Sequence, residues 1–292
     1  MTDTSISGLV TAGDGTRLAV HDLGGSGPPL LIAHATGFHA RAYRPLATAL
    51  AVQHHVIGFD ARAHGASDPP PLDGSGTWRL GPEHFAADVL AVVAALGLEQ
   101  PAGFGHSAGA SALVLAEQAK PGTFSALYCF EPIIAPLDDP VPPDFDNALS
   151  RGARQRRRRF ASRQAAFDNY AAKAPLSQLD PRALRAYVEF GLAPDPAGGV
   201  RLCCDPDHEA LMYARGLTHH AFRRLGELSC PVTLACGEHT DAVGPEVLAR
   251  LAARLAHPRV EVLADVGHFG PLQDPASVAA SVLGALGGAA QR

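Results

Sequence analysis

Long apolar runs, paired cysteines and a basic surplus are all missing from this chain, and each absence excludes a class of protein. No apolar stretch approaches the roughly 18 residues that a membrane-crossing helix needs. The five cysteines, Cys129, Cys203, Cys204, Cys230 and Cys236, show no C-x-x-C spacing. Neither a disulfide framework nor a zinc ribbon is expected from them, only free and mostly buried thiols. Lysine is almost absent, with Lys120 and Lys173 the only two among 24 basic residues. That bias, beside abundant Ala, Gly and Pro, is the mark of a GC-rich bacterial genome and carries no chemistry. The formal charge of −5 lacks the basic excess of a nucleic-acid binder. The first residues, Met1 to Ser7, have neither the basic start nor the apolar run of a signal peptide. The expectation is a soluble, cytoplasmic protein without a membrane or nucleic-acid partner. A homodimer is compatible with the sequence.

What is present describes a folded enzyme-sized chain. It has 292 residues, 47% of them hydrophobic and 18% charged, ample for one large domain with a full core. "ISGLVTA" and "TRLAVHDL" flank Asp14-Gly15, a favoured hairpin turn. "PPLLIAHA" follows as a short buried-type strand, after which strands and helices alternate. Helices are expected at 39–51, 83–96 and 107–119, and strands at "HHVIGFD", "PAGFGH" and "FSALYCFE". The alternation stops for about a hundred residues and resumes with "CPVTLACG", a helix at 244–256, "RVEVLAD" and a helix at 274–286. The fold class is therefore α/β, a mostly parallel central sheet with helices on both faces. The core spans 1–134 and 229–292, and 135–228 is a mostly helical cap with no clear strand.

"GFGHSAG", residues 103–109, admits two chemistries. As G-x-G-x-x-A it fits a relaxed dinucleotide cradle, with Glu131 placed to hold a ribose. As G-x-S-x-G it places Ser107 on a sharp strand-to-helix turn as a nucleophile. The cradle normally opens the first βαβ unit, and here it comes late. The nucleophile reading demands an acid and then a histidine, each following a late strand. Asp241 follows "PVTLAC" and His268 follows "RVEVL". Serine needs a base to take its proton, and the base needs a carboxylate to fix its tautomer. The backbone N–H of Ala108 suits one oxyanion donor, and the loop "HATGF" at 34–38 the other, with Thr36 preferred and Phe38 second. The serine reading prevails.

Together these motifs resemble those of the α/β-hydrolase fold superfamily in its capped serine-hydrolase form, over essentially the whole chain. "HATGF" resembles that family's His-Gly-x loop, with Ala35 in place of Gly. "DARAHGASD" (60–68), "GHSAG" (105–109) and "GHFGPLQDP" (267–275) resemble its other signatures. The resemblance implies a Ser107–Asp241–His268 triad, Thr36 and Ala108 as oxyanion donors, and no cofactor. Asp241 lies four residues after Gly237 where three is commoner. Glu131 is the rival acid, since some relatives carry it after the earlier strand.

Other features get a plainer reading. Phe38, Trp78 and Phe269 are assigned to a substrate pocket, as is His106, although its side chain should point away from that of Ser107; Phe104 is pocket or core. Asp60 and Arg62 are read as structural. His54-His55 and His219-His220 lack the further ligands a metal needs, so no metal is expected. "RQRRRR" at 154–159 suggests capture of an acidic substrate such as a CoA ester. The segment 132–229 nonetheless carries 14 basic against 12 acidic residues, which favours an ion-paired surface. The expected activity is hydrolysis of a small-to-medium apolar carboxylic ester through an acyl-enzyme. C–C bond, lactone or thioester hydrolysis and perhydrolysis are alternatives on the same site. A small-molecule receptor is the non-enzymatic one.

Overall fold

A computed structural model describes residues 8–143 and 147–289. Ile6 and Ser7 of the expected first strand lie outside these. The chain opens with the hairpin β1 (Gly8–Thr11) and β2 (Arg17–Gly24), then β3 (Pro29–Ala33), α1 (Arg44–Leu50), β4 (His55–Phe59) and α2 (Pro82–Ala95). Next come β5 (Ala102–His106), α3 (Ala108–Ala119) and β6 (Ala126–Phe130). A long insertion carries α4 (Ala148–Arg154), β7 (Arg159–Phe160), α5 (Arg163–Ala171), α6 (Pro181–Phe190), β8 (Leu192–Pro194), β9 (Val200–Leu202) and α7 (Pro206–Arg215). The chain then returns through β10 (Val232–Gly237), α8 (Pro245–Ala252), β11 (Pro258–Leu263), α9 (Gly270–Gln273) and α10 (Pro275–Ala289).

Eight strands form one sheet in the order β1-β2-β4-β3-β5-β6-β10-β11. Only the β1–β2 and β2–β4 pairings are antiparallel. Parallel neighbours need crossovers, which is why helices separate the later strands. Side chains alternate across the sheet as the pleat requires. Leu30 and Ile32 of β3 face α1 and α10, whereas Leu31 and Ala33 face α2, α3 and α8. Both faces are thus covered, so the central strands carry no polar stripe. The carboxyl ends of β3, β5, β6, β10 and β11 end along one rim.

The insertion departs from the expectation of a segment without strands. β7, β9 and β8 form a small antiparallel sheet. Strands of two or three residues are too short for a period-2 pattern to show in sequence. Its helices begin on residues suited to accept from orphan N–H groups. Asn147, Ser162, Asp180 and Asp205 each do so, the last two with proline at the first helical position. α6 packs against the turn Ala40–Tyr43 and α1, so the insertion lies near the loop that follows β3.

Candidate active site

Ser107 sits where β5 turns into α3. Its backbone is at φ 58 and ψ −121, a strained combination for any residue with a Cβ. Two glycines make the turn sterically feasible. A Cβ on Gly105 would lie 2.4 Å from Ala110 Cα, and one on Gly109 2.2 Å from the Ala33 carbonyl oxygen. The glycines admit close backbone packing. Gly103 is inside β5, and a Cβ there would meet Leu127 at 2.6 Å. A Cβ at each of the three would meet the fold itself, so close packing accounts for these glycines without a pyrophosphate.

The histidine and an acid are brought together. His268 Nδ1 lies 2.6 Å from Glu131 Oε2. Glu131 is fully buried just past β6. Its Oε1 accepts from the Gly237 N–H at 3.0 Å, and Oε2 accepts from Thr240 Oγ1 at 2.6 Å and from the Val243 N–H at 3.3 Å. A carboxylate so placed accepts only, so Nδ1 of His268 carries the proton and Nε2 is left as the basic nitrogen. No hydrogen bond joins the Ser107 hydroxyl to His268 among the described residues.

This corrects the assignment of Asp241. It is exposed, and the carboxylate on His268 is its rival Glu131. The physical reason is in the loop after β10. Thr240 and Val243 on either side turn inward to hydrogen-bond Glu131, and Asp241 between them faces solvent.

Thr36 and Ala108 also come together, lining one small cavity with Gly109. Three N–H groups of the loop after β3 are committed elsewhere. Ala35 donates to Tyr43 Oη at 3.1 Å, Gly37 to His64 Nε2 at 3.0 Å and Phe38 to the Ala35 carbonyl at 3.1 Å. That carbonyl also accepts from His34 Nδ1 at 2.8 Å. The trans peptide between Ala35 and Thr36 then turns the Thr36 N–H the opposite way. Within 35–38, Thr36 is the residue whose N–H has no partner among the described residues. Phe38 is not available as the alternative donor.

The pocket residues divide. Phe38 and Phe269 lie together, ring centroids 5.5 Å apart, and Phe269 is 5.2 Å from His268. Tyr187 of α6, absent from the sequence reading, extends this wall at 5.1 Å from Phe38. Trp78 is corrected: it is 37% exposed, edge-on to His208 of α7, and its carbonyl accepts from Arg215. It joins the 69–80 loop to the insertion. His106 is corrected too, since it is fully buried with both ring nitrogens bonded. Phe104 is core, stacked on Tyr128.

Much of the basic run is ion-paired at the surface, with Arg158 on Asp205 and Asp207 and Arg159 on Asp195. Arg156 differs. It turns inward to Glu209 and donates to Tyr187 Oη at 2.5 Å. A Cβ on Gly37 would be 2.7 Å from Glu209 Oε1, so this pair stands directly over the loop that carries Thr36. Nothing in an arginine-rich stretch shows which member turns in. Asp60 and Arg62 are structural, Asp60 accepting from the Ala40 and Ala66 N–H groups and Arg62 clamped on Asp88. On spacing alone, the exposed Glu238, His239 and Asp265 are the one group among the described residues that could hold a metal.

Residues 30–281 match the model of the alpha/beta hydrolase family. The chain belongs to that family. No curated protein matches it in sequence. Solved structures match closely in fold. An E-2-(acetamidomethylene)succinate hydrolase is similar at TM-score 0.80 and 22% identity, over 97% of this chain and 99% of the other. The thioesterase domain from the curacin biosynthetic pathway reaches 0.73 at 20%, over 94% and 98%. An enol-lactonase from Burkholderia xenovorans LB400 reaches 0.70 at 18%, over 96% and 100%. No helix of the described residues is long and apolar enough to cross a membrane.

Proposed function

We propose that this alpha/beta hydrolase family member is a serine hydrolase acting on a small-to-medium carboxylic ester, with Ser107 as nucleophile, His268 as base and Glu131 as the acid that orients it. The observation that carries this reading is the 2.6 Å contact of His268 Nδ1 with a buried, fully hydrogen-bonded Glu131, on the rim where Ser107 holds its strained turn. His268 Nε2 takes the Ser107 proton as Oγ attacks the ester carbonyl. The oxyanion is met by the Thr36 and Ala108 N–H groups, the latter opening α3. His268 then returns the proton to the departing alcohol, leaving an acyl-Ser107. Water gives its proton to Nε2 and attacks the acyl carbon, and collapse releases the acid and restores Ser107.

Phe38, Phe269 and Tyr187 would wall the apolar part of the substrate, and the insertion would act as the cap above it. Arg156 and Glu209 add a polar spot to that wall. Hydrolases of ester-like carbonyls recur among the similar folds, the enol-lactonase and the thioesterase domain included.

Labelling with a fluorophosphonate, read by mass spectrometry beside a short-chain p-nitrophenyl ester assay, tests the reading. A single adduct on Ser107, lost in Ser107→Ala, with ester turnover is expected. A folded protein that takes no adduct and turns over no ester would overturn it.

A further inference from the structure

Two buried polar side chains stand beside the site and take no part in the steps above. Tyr43, in the turn before α1, and His106, the residue before Ser107, are both fully buried. Tyr43 Oη is 2.7 Å from His106 Nδ1, and His106 Nε2 is 2.8 Å from the His268 carbonyl oxygen. A carbonyl only accepts, so the proton of His106 is on Nε2. Nδ1 then accepts, and the Tyr43 hydroxyl must donate to it. The phenol oxygen is left to accept from the Ala35 N–H at 3.1 Å. The direction of every bond is fixed: Ala35 N–H to Tyr43, Tyr43 O–H to His106, His106 Nε2–H to His268.

One end of this chain is the loop that aims Thr36, and the other is the backbone of the catalytic histidine. We propose that Tyr43 and His106 are positioning residues that set the oxyanion loop and the His268 loop at a fixed distance through this directional chain. The proposal rests on the hydrolase reading above. Both groups hold the required neutral form, because burial pushes the Tyr43 phenol up and the His106 imidazole well below its ordinary value. Neither residue touches the reacting atoms. Their effect is on where the donors and the base stand, and misplacement of about 1 Å is enough to slow such a reaction by about 100-fold.

The test compares Tyr43→Phe, His106→Asn and the double variant with the wild type. The ester assay gives kcat and KM, and an alkylboronic acid, which forms a tetrahedral adduct on the serine, gives a Kd. Each single change is expected to lower kcat about 10- to 100-fold with KM within about twofold, and to weaken boronate binding in proportion. The double variant should lose no more than the worse single one, since cutting one chain twice adds nothing. Tyr43→Phe keeps the ring and so guards against a variant that fails to fold. Folded variants with wild-type kcat and boronate Kd, and only a lower Tm, would reduce the chain to a structural role and overturn the proposal. So would additive losses. If the wild type takes no fluorophosphonate adduct and turns over no ester, the hydrolase reading falls first and this proposal with it.

Discussion

Ser107 is held in a backbone conformation that residues with a Cβ rarely adopt. Its φ of 58 places a Cβ where residues rarely go, and such a conformation costs of order 1–3 kcal/mol. The surroundings impose it, through the Ser107 N–H on the Phe130 carbonyl and the α3 N–H groups on the Ser107 carbonyl. The strain belongs to the Cβ and not to the hydroxyl. Ser107→Ala should therefore keep it and Ser107→Gly should relieve it, partly offset by the freer unfolded chain of glycine. Thermal unfolding of the two inactive variants is expected to show Ser107→Gly more stable by about 1 kcal/mol. An alanine variant more stable than the glycine one, by the cost of glycine's freer unfolded chain, would show that the turn is unstrained. Among the described residues Ala63, Gln100, Glu131 and Asp265 are also at positive φ, and Glu131, at 47, is the one whose carboxylate contacts His268.

At the scale of elements, the parallel core was legible because its central strands β3, β4, β5 and β10 are short apolar runs closed by His, Asp or Gly and separated by helical segments. The elbow was legible because three small residues must flank the serine at fixed spacing. The acid was harder to read. Carboxylates stand after both β6 and β10, and sequence spacing alone leaves Asp241 and Glu131 as competitors. What decides is a loop conformation, with Thr240 and Val243 turning inward, which depends on the register of β10 against β6. The pocket aromatics divided for a similar reason, since Phe38 and Trp78 both flank site loops and only the path of the 69–80 loop separates them. Tyr43, Tyr187 and Arg156 gave no local signal, as each reaches the site from an element whose own pattern explains it fully.

Across the whole molecule, the buried histidines set the response to acid. Burial, above all, lowers His39 to about 4 and His64 to about 3, and lowers His34, His106 and His219 as well. In the unfolded chain each takes a proton near pH 6.5. The folded state refuses it until lower pH, so the unfolded state binds more protons between about 6.5 and 4 and stability falls as pH falls. His39 and His64, the two lowered that far, each cost about 1.4 kcal/mol per pH unit in that window, and the other three add in the same direction. Tm is expected to hold from pH 8 to 7 and drop steeply from pH 6 to 5, and a flat profile would show that these rings charge in place. The proposed hydrolysis also belongs to the whole fold, since it needs the loops after β5, β6 and β11 together on one rim. The kcat/KM of Glu131→Gln and Asp241→Asn on one p-nitrophenyl ester tests it most directly. Glu131→Gln should lose about 10⁴-fold, as when a triad histidine is held in the wrong tautomer, and the exposed Asp241→Asn should stay within about threefold of wild type. The reverse order, with Asp241→Asn inactive and Glu131→Gln near wild type, would contradict the account.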